Sequence, residues 1–164
     1  MDVGKILGKF LGNKSDRDMK EVTPYVEMVR QAYEGLQALS NDELRERSAQ
    51  LREKVAEYVS QDKQELEEMR LKAEDPETEV SEKESLYAEI DKLEKAIDEK
   101  YEEVLDEILP EAFAVIKDTA RRFKENEELS VTALDYDRAL AATRESVEIK
   151  GEQAIWQNGW MAGG

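Results

Sequence analysis

Cysteine and histidine are both absent from this 164-residue chain, and the two absences remove whole classes of chemistry. Without thiols there is no disulfide staple and no thiol nucleophile; without imidazole there is no near-neutral general base, and zinc loses its usual ligands. Aromatics are scarce at 7%, while charged residues make up 39%, and the mean hydropathy is −0.76. A chain of this length could form one cored domain, yet so polar a composition fits long solvated helices better than a compact globule. No apolar run approaches the roughly 20 residues that a membrane-spanning helix needs. The stretch from Ile6 to Leu11 is interrupted by Gly8 and Lys9, which argues against a secretory signal, and the expectation is a cytoplasmic protein.

A nucleotide-binding loop is also missing. The string Gly4-Lys5-Ile6-Leu7-Gly8-Lys9-Phe10 has three residues between its glycines and Phe10 after the lysine, whereas a phosphate loop needs four and a Ser or Thr. Gly4, Gly8 and Gly12 repeat at four, but the segment is too short and too charged to pack as a membrane helix. Carboxylate pairs are everywhere, and among 40 acidic residues such pairs are solvated helix faces far more often than acid–base dyads. No catalytic, cofactor-binding or metal-ligating residue is assigned.

What is abundant is negative charge, and its placement is uneven. Residues 57–108 hold 20 Asp/Glu against 7 Lys/Arg, a net of −13, while the rest of the chain holds 20 against 17, a net of −3. So acidic a middle segment repels phosphate backbones, so no nucleic acid is expected as a partner. Within it, Leu51, Val55, Tyr58, Asp62, Leu66, Met69 and Ala73 recur at steps of three and four. So do Leu86, Ile90, Leu93 and Ile97, continuing through Tyr101, Val104 and Ile108. Each set is one apolar stripe on one helix. Pro76 stops the first helix, and Ser81-Glu82-Lys83-Glu84 has the form of a capping box that starts the second. The predicted unit is an antiparallel helical hairpin of coiled-coil type with arms of about 42 Å, at 1.5 Å per residue.

Outside this segment, Pro24 predicts a helix start near Thr23, and Ser40-Asn41-Asp42-Glu43 predicts another, running on into the first hairpin arm. Ala112, Phe113, Val115, Ile116, Ala120 and Phe123 predict an apolar helix face. Residues 126–130 read as a loop and 136–143 as a short helix. Val147 to Trp156 alternate around Lys150-Gly151-Glu152-Gln153, which predicts a short β-hairpin. The fold class is mainly α: an elongated hairpin on a small helical base. The organisation is 1–14 amphipathic basic segment, 15–56 helical lead-in, 57–108 acidic hairpin insertion, and 109–164 helix with the start of a further domain.

At the N-terminus Val3, Ile6, Leu7, Phe10 and Leu11 fall on one helical face, with Lys5, Lys9, Lys14 and Arg17 nearby. Such a segment can lie in a membrane interface with its lysines on anionic headgroups. The predicted membrane or channel contacts are therefore Val3, Lys5, Ile6, Leu7, Lys9, Phe10, Leu11 and Lys14; packing of the same face on the protein's own core is the competing expectation.

Two further segments, Leu39-Ser40-Asn41-Asp42-Glu43-Leu44 and Leu109-Pro110-Glu111-Ala112-Phe113-Ala114-Val115-Ile116-Lys117-Asp118-Thr119-Ala120-Arg121, follow the basic N-terminus in the order found in the SecA family of bacterial preprotein translocase ATPases, which the chain resembles. The likeness covers residues 3–56 and 109–124 well and 125–164 more loosely, with 57–108 standing as an insertion. It implies the N-terminal piece of an ATP-driven motor that pushes preproteins through the SecYEG channel at the inner face of the plasma membrane. ATP and magnesium would then serve the whole motor, and this piece would have neither cofactor nor ATPase activity. SecYEG, anionic lipid and preproteins are the implied partners, with room for a homodimer. A free-standing coiled-coil adaptor and a peripheral membrane-binding module are the alternatives from other classes.

Overall fold

The computed structural model describes the backbone of residues 14–159 and the side chains of residues 18–159. The described residues form α1 (Lys14–Glu34), α2 (Asn41–Tyr58), α3 (Ser60–Glu74), α4 (Val80–Glu125), β1 (Glu128–Thr132), α5 (Asp135–Ala141), β2 (Val147–Lys150) and β3 (Gln153–Gln157). The chain is thus mainly helical with one small sheet. It divides into two compact units, one made of residues up to Leu44 together with Pro110 onward, the other of Arg45–Leu109.

In the Arg45–Leu109 unit, Leu66, Ala73, Leu86, Ile90 and Ile97 form one buried cluster, with Met69, Leu93 and Tyr101 packed against it. These are the stripe residues that the three-and-four spacing predicts, because that period keeps side chains on one side of a helix. Polar pairs tie the same elements together. Lys54 Nζ donates to Glu107 at 2.6 Å, Tyr58 Oη to Glu103 at 3.0 Å, Lys100 Nζ to Asp62 at 2.6 Å and Arg70 to Glu94 at 2.6 Å. The two polar interruptions of the apolar stripes, Asp62 and Lys100, therefore meet and satisfy each other.

The structure corrects the predicted stripe at one point. Tyr58 is 43% exposed and the adjacent Val59 is fully buried. The reason is a break: the helix running from Asn41 does not continue unbroken, and Val59 (φ −108°, ψ 2°) separates α2 from α3. A non-helical residue shifts the phase of everything beyond it, so the buried position moves by one and the Tyr58 hydroxyl is free to reach Glu103. That bond, with the Glu103 charge, pushes the Tyr58 hydroxyl up from its ordinary value.

Three helix boundaries also differ from expectation. α1 begins ten residues before Pro24, which sits inside the helix; the Thr23 hydroxyl donates to the Met19 carbonyl at 2.5 Å, supplying a bond beside the turn where the proline ring removes a donor. α4 passes through Pro110 without ending, so the apolar segment after 109 is the continuation of one helix rather than a new one. Its start is Val80, so Ser81 lies in the first turn instead of capping it, while Thr78 Oγ1 donates to the Lys72 carbonyl across the connection. At Asp75, φ −60° and ψ 126° end α3 before Pro76, as the bias of a pre-proline residue requires.

In the other unit, residues read as a loop before Thr132 supply β1. The sheet has the order β1-β3-β2, with β3 antiparallel to both neighbours. The β2–β3 hairpin turns at Gly151 (φ 64°) and Glu152; no non-glycine residue has positive φ among the described residues, the pattern of a type II′ turn. Val131, Val147 and Ala154 are buried on one face of this small sheet.

Candidate functional site

The buried charge of the molecule is concentrated where α4, β1 and the α1–α2 connection meet. Asp118 is fully buried and Arg122 is 7% exposed. They lie one turn apart on α4, on the same face as Ala114 and Val115, so the helix period carries both into the interior. Arg122 Nε donates to Asp118 Oδ2 at 2.8 Å, one terminal nitrogen donates to Asn41 Oδ1 at 2.7 Å, and the other to the carbonyls of Leu39 at 2.6 Å and Leu36 at 3.3 Å. Arg121 Nε donates to the other Asp118 oxygen at 2.9 Å. A guanidinium's planar fork of five donors suits this many-sided seat, where a lysine would be a single point charge.

The α1–α2 connection is shaped to receive it. Ser40 N–H donates to Glu43 Oε2 at 2.7 Å and Glu43 N–H donates to Ser40 Oγ at 3.2 Å, the reciprocal capping box that the sequence predicts. The backbone bond and then the hydroxyl bond from Ser40 hold the Glu43 carboxyl below its usual range. With its start fixed, α2 presents Asn41 and Asp42 outward. Asn41 Nδ2 donates to the Ser130 carbonyl at 3.1 Å, and Asp42 accepts from the Thr132 amide at 2.8 Å and hydroxyl at 2.9 Å. In α5, Asp137 is fully buried, accepting from Trp156 Nε1 at 3.1 Å and the Leu134 amide at 2.8 Å.

Burial alone would push the Asp118 carboxyl up, but hydrogen bonds and charge from Arg122 and Arg121 outweigh it, and the group is held below its ordinary value. It is therefore a structural anion rather than a proton carrier. Among the described residues no cluster of His, Cys, Asp or Glu could hold a metal, and no helix is long and apolar enough to cross a membrane.

Of the predicted contact residues, Val3, Lys5, Ile6, Leu7, Lys9, Phe10 and Leu11 lie outside the described residues, and Lys14 opens α1. Sequence reasoning missed Asn41, Asp118, Arg122, Asp137 and the anchored side of Trp156. The one signal for Asp118 and Arg122 was their spacing of four on an apolar face, and such acid–base spacings are commonplace in a chain that is 39% charged. The predicted apolar face is also displaced. Of that face Val115 is buried as expected, but Phe113 and Ile116 are 56% and 65% exposed and the unpredicted Ala114 is buried, on the side of α4 that carries Asp118 and Arg122.

The family of the SecA DEAD-like domain matches residues 7–138. A protein translocase subunit SecA of Parabacteroides distasonis is 49% identical over 164 residues, spanning 100% of this chain and 14% of its own length. Those of Phocaeicola vulgatus and Porphyromonas gingivalis (strain ATCC 33277) are 47% and 48% identical over 165 and 164 residues, each spanning 100% of this chain and 15% of its own length. The chain therefore spans about one-seventh of the relatives it matches. No solved structure matches it.

Proposed function

The chain belongs to the SecA family of protein translocase subunits, and from that premise we propose that it forms the N-terminal part of an ATP-driven motor that moves preproteins through the SecYEG channel. The observation that carries this reading is identity of 47–49% along the whole chain to relatives bearing that one name. The same match weighs against a free-standing adaptor. In this reading residues 1–14 contact membrane and channel, 15–56 lead into the motor, 57–108 are an acidic antiparallel hairpin, and 109–164 open the first nucleotide-binding domain. The paired contacts of residues 54 with 107, 58 with 103, 62 with 100 and 70 with 94 support the hairpin, since one partner's number rises as the other's falls.

Work at the cytoplasmic face of the membrane follows from the basic amphipathic N-terminus. Val3, Ile6, Leu7, Phe10 and Leu11 would enter the acyl boundary while Lys5, Lys9 and Lys14 meet anionic headgroups. Vesicles containing anionic lipid are expected to retain the intact chain more than a version lacking residues 1–12, with the difference shrinking as salt rises. Equal retention of the two would remove the membrane contact from this reading.

ATP and magnesium would supply the driving reaction of the whole motor. The residues of this chain do not fit either group: the sequence holds no glycine loop ending in Gly-Lys-Ser/Thr, and its buried carboxylates are committed to Arg122, Arg121, Trp156 and the backbone. The chain by itself is accordingly expected to give no product in a single-turnover assay with ATP and magnesium; measurable turnover would put a hydrolytic site within these 164 residues. Its part in the motor is to hold the lead-in together: Arg122 and Asp42 join α2 to α4 and β1. A homodimer, the SecYEG channel and preproteins are the partners of this proposal, and nucleic acid is not among them.

A further inference from the structure

Within the unit that holds Pro110 onward, the end of α4 has two unlike sides. Ala114, Val115, Asp118 and Arg122 are buried. The helix period puts Ala112, Phe113, Ile116, Ala120 and Phe123 on the opposite side, bordered by Lys117 and Lys124. Phe113 and Ile116 are 56% and 65% exposed, Ala120 is exposed, and Ala112 and Phe123 are half-buried. Asp118 is the only carboxylate from residue 112 to residue 124, and it lies on the inner side. An apolar surface on a helix whose other side is already filled marks a place where something else lies.

The course of the chain points to the occupant. β3 runs antiparallel to β1, and β1 starts just after α4 ends, so β3 heads back toward the C-terminal end of that helix. Two bonds hold its exit there: the Asn158 amide donates to the Glu127 carbonyl at 2.9 Å, and Asn158 Nδ2 donates to the Phe123 carbonyl at 3.3 Å. Trp160 follows two positions later, which keeps its Cα within about 7.6 Å of that of Asn158. Ala120 and Ile116 stand about 4.5 and 10.5 Å back along α4 from Phe123, at 1.5 Å per residue. Both are within the span of that link and an indole side chain; Phe113, at about 15 Å, lies beyond it. We propose that Trp160 seats on the outer side of α4, against Phe123, Ala120 and Ile116, and so clasps the chain leaving the sheet to that helix. An indole brings a large apolar body to such a surface and keeps its N–H at the wet edge. Trp156 does not compete for the seat, because its N–H is held by Asp137 at 3.1 Å. This inference rests on α4 and the sheet alone and does not depend on the translocase reading.

The test uses the intact chain with a ring-fluorinated tryptophan at both tryptophan positions, followed by fluorine NMR. The signal that disappears in Trp160→Phe is that of Trp160. In the native chain this signal is expected well away from its position in urea and unmoved by dilution. Ile116→Ser and, separately, Ala120→Glu should carry it most of the way to the urea position while the Trp156 signal stays in place. Leu71→Ser, at a 62% exposed site on α3, should move neither signal. Circular dichroism checks that each variant keeps its helicity. A native Trp160 signal already at the urea position would overturn the proposal, as would one that neither α4 variant moves or that Leu71→Ser moves as far. A shift on dilution would give the surface to a second copy of the chain instead, and would equally overturn it.

Discussion

Arg122→Ala is expected to cost about 3–5 kcal/mol of unfolding free energy, the range for removing one partner of a buried ion pair. The substitution deletes the bonds to Asp118, Asn41 and the carbonyls of Leu36 and Leu39 at once, leaving a fully buried carboxylate with Arg121 as its remaining partner. Both tryptophans of the chain lie at residues 156 and 160, outside the Arg45–Leu109 unit, so tryptophan fluorescence in urea reads the part where Arg122 sits. Arg122→Lys should recover only a fraction, since an ammonium has three donors on one nitrogen and cannot span the partners that the guanidinium reaches from three. The sign of the pH effect follows from Asp118. Its folded value is depressed, so its contribution is present above the ordinary carboxylate range, about pH 4, and is lost as pH falls through the folded value. Arg122→Ala should therefore differ most from the parent at neutral pH and least in acid, where a protonated Asp118 tolerates burial. A loss below about 1 kcal/mol at neutral pH would place the pair with ordinary surface ion pairs and remove it as the organiser of the α2–α4 junction.

The second large effect contrasts neighbours on α4. Val104→Asp should cost about 3–5 kcal/mol, because it places an unpaired carboxylate where Val104 has no exposure at all. Leu105→Asp, at a site 50% exposed, should stay within about 0.5 kcal/mol. The measurement is the helical circular dichroism of each variant through a urea titration. Similar losses at the two positions would mean that the buried stripe of α4 is not the one through Leu86, Ile90, Ile97 and Val104.

These two sites mark what the sequence could and could not tell. Val104 was legible: the spacing of Leu86 to Ile108 is a local property of one helix, and the period of the helix turns spacing into a face without reference to anything else. The Ser40–Glu43 cap and the Gly151 hairpin turn were legible for the same reason, since each bond or dihedral involves residues within a few positions. Arg122 was not. Its partners Asn41, Leu39 and Leu36 stand 81, 83 and 86 positions away, and nothing in a window around residue 122 reveals them. Phe113, Val115 and Ile116 are equally apolar, yet only Val115 is inside, because it shares the side of α4 that carries Asp118 and Arg122 inward.

The sequence by itself determined the helical period of the acidic segment, its charge, the cap at Ser40, the want of a nucleotide loop and membership of a translocase family. All of these depend on residue identity at short spacing. The tertiary structure alone decided that Val59 rather than Tyr58 is buried, that residues 128–132 join a sheet, and that an arginine is taken inside. A break in a helix resets which side faces in. A strand needs a partner: β1 is defined by its pairing with residues 153–157. A buried guanidinium is tolerable only when distant groups, here a carboxylate, an amide and two carbonyls, converge to replace the water it gives up.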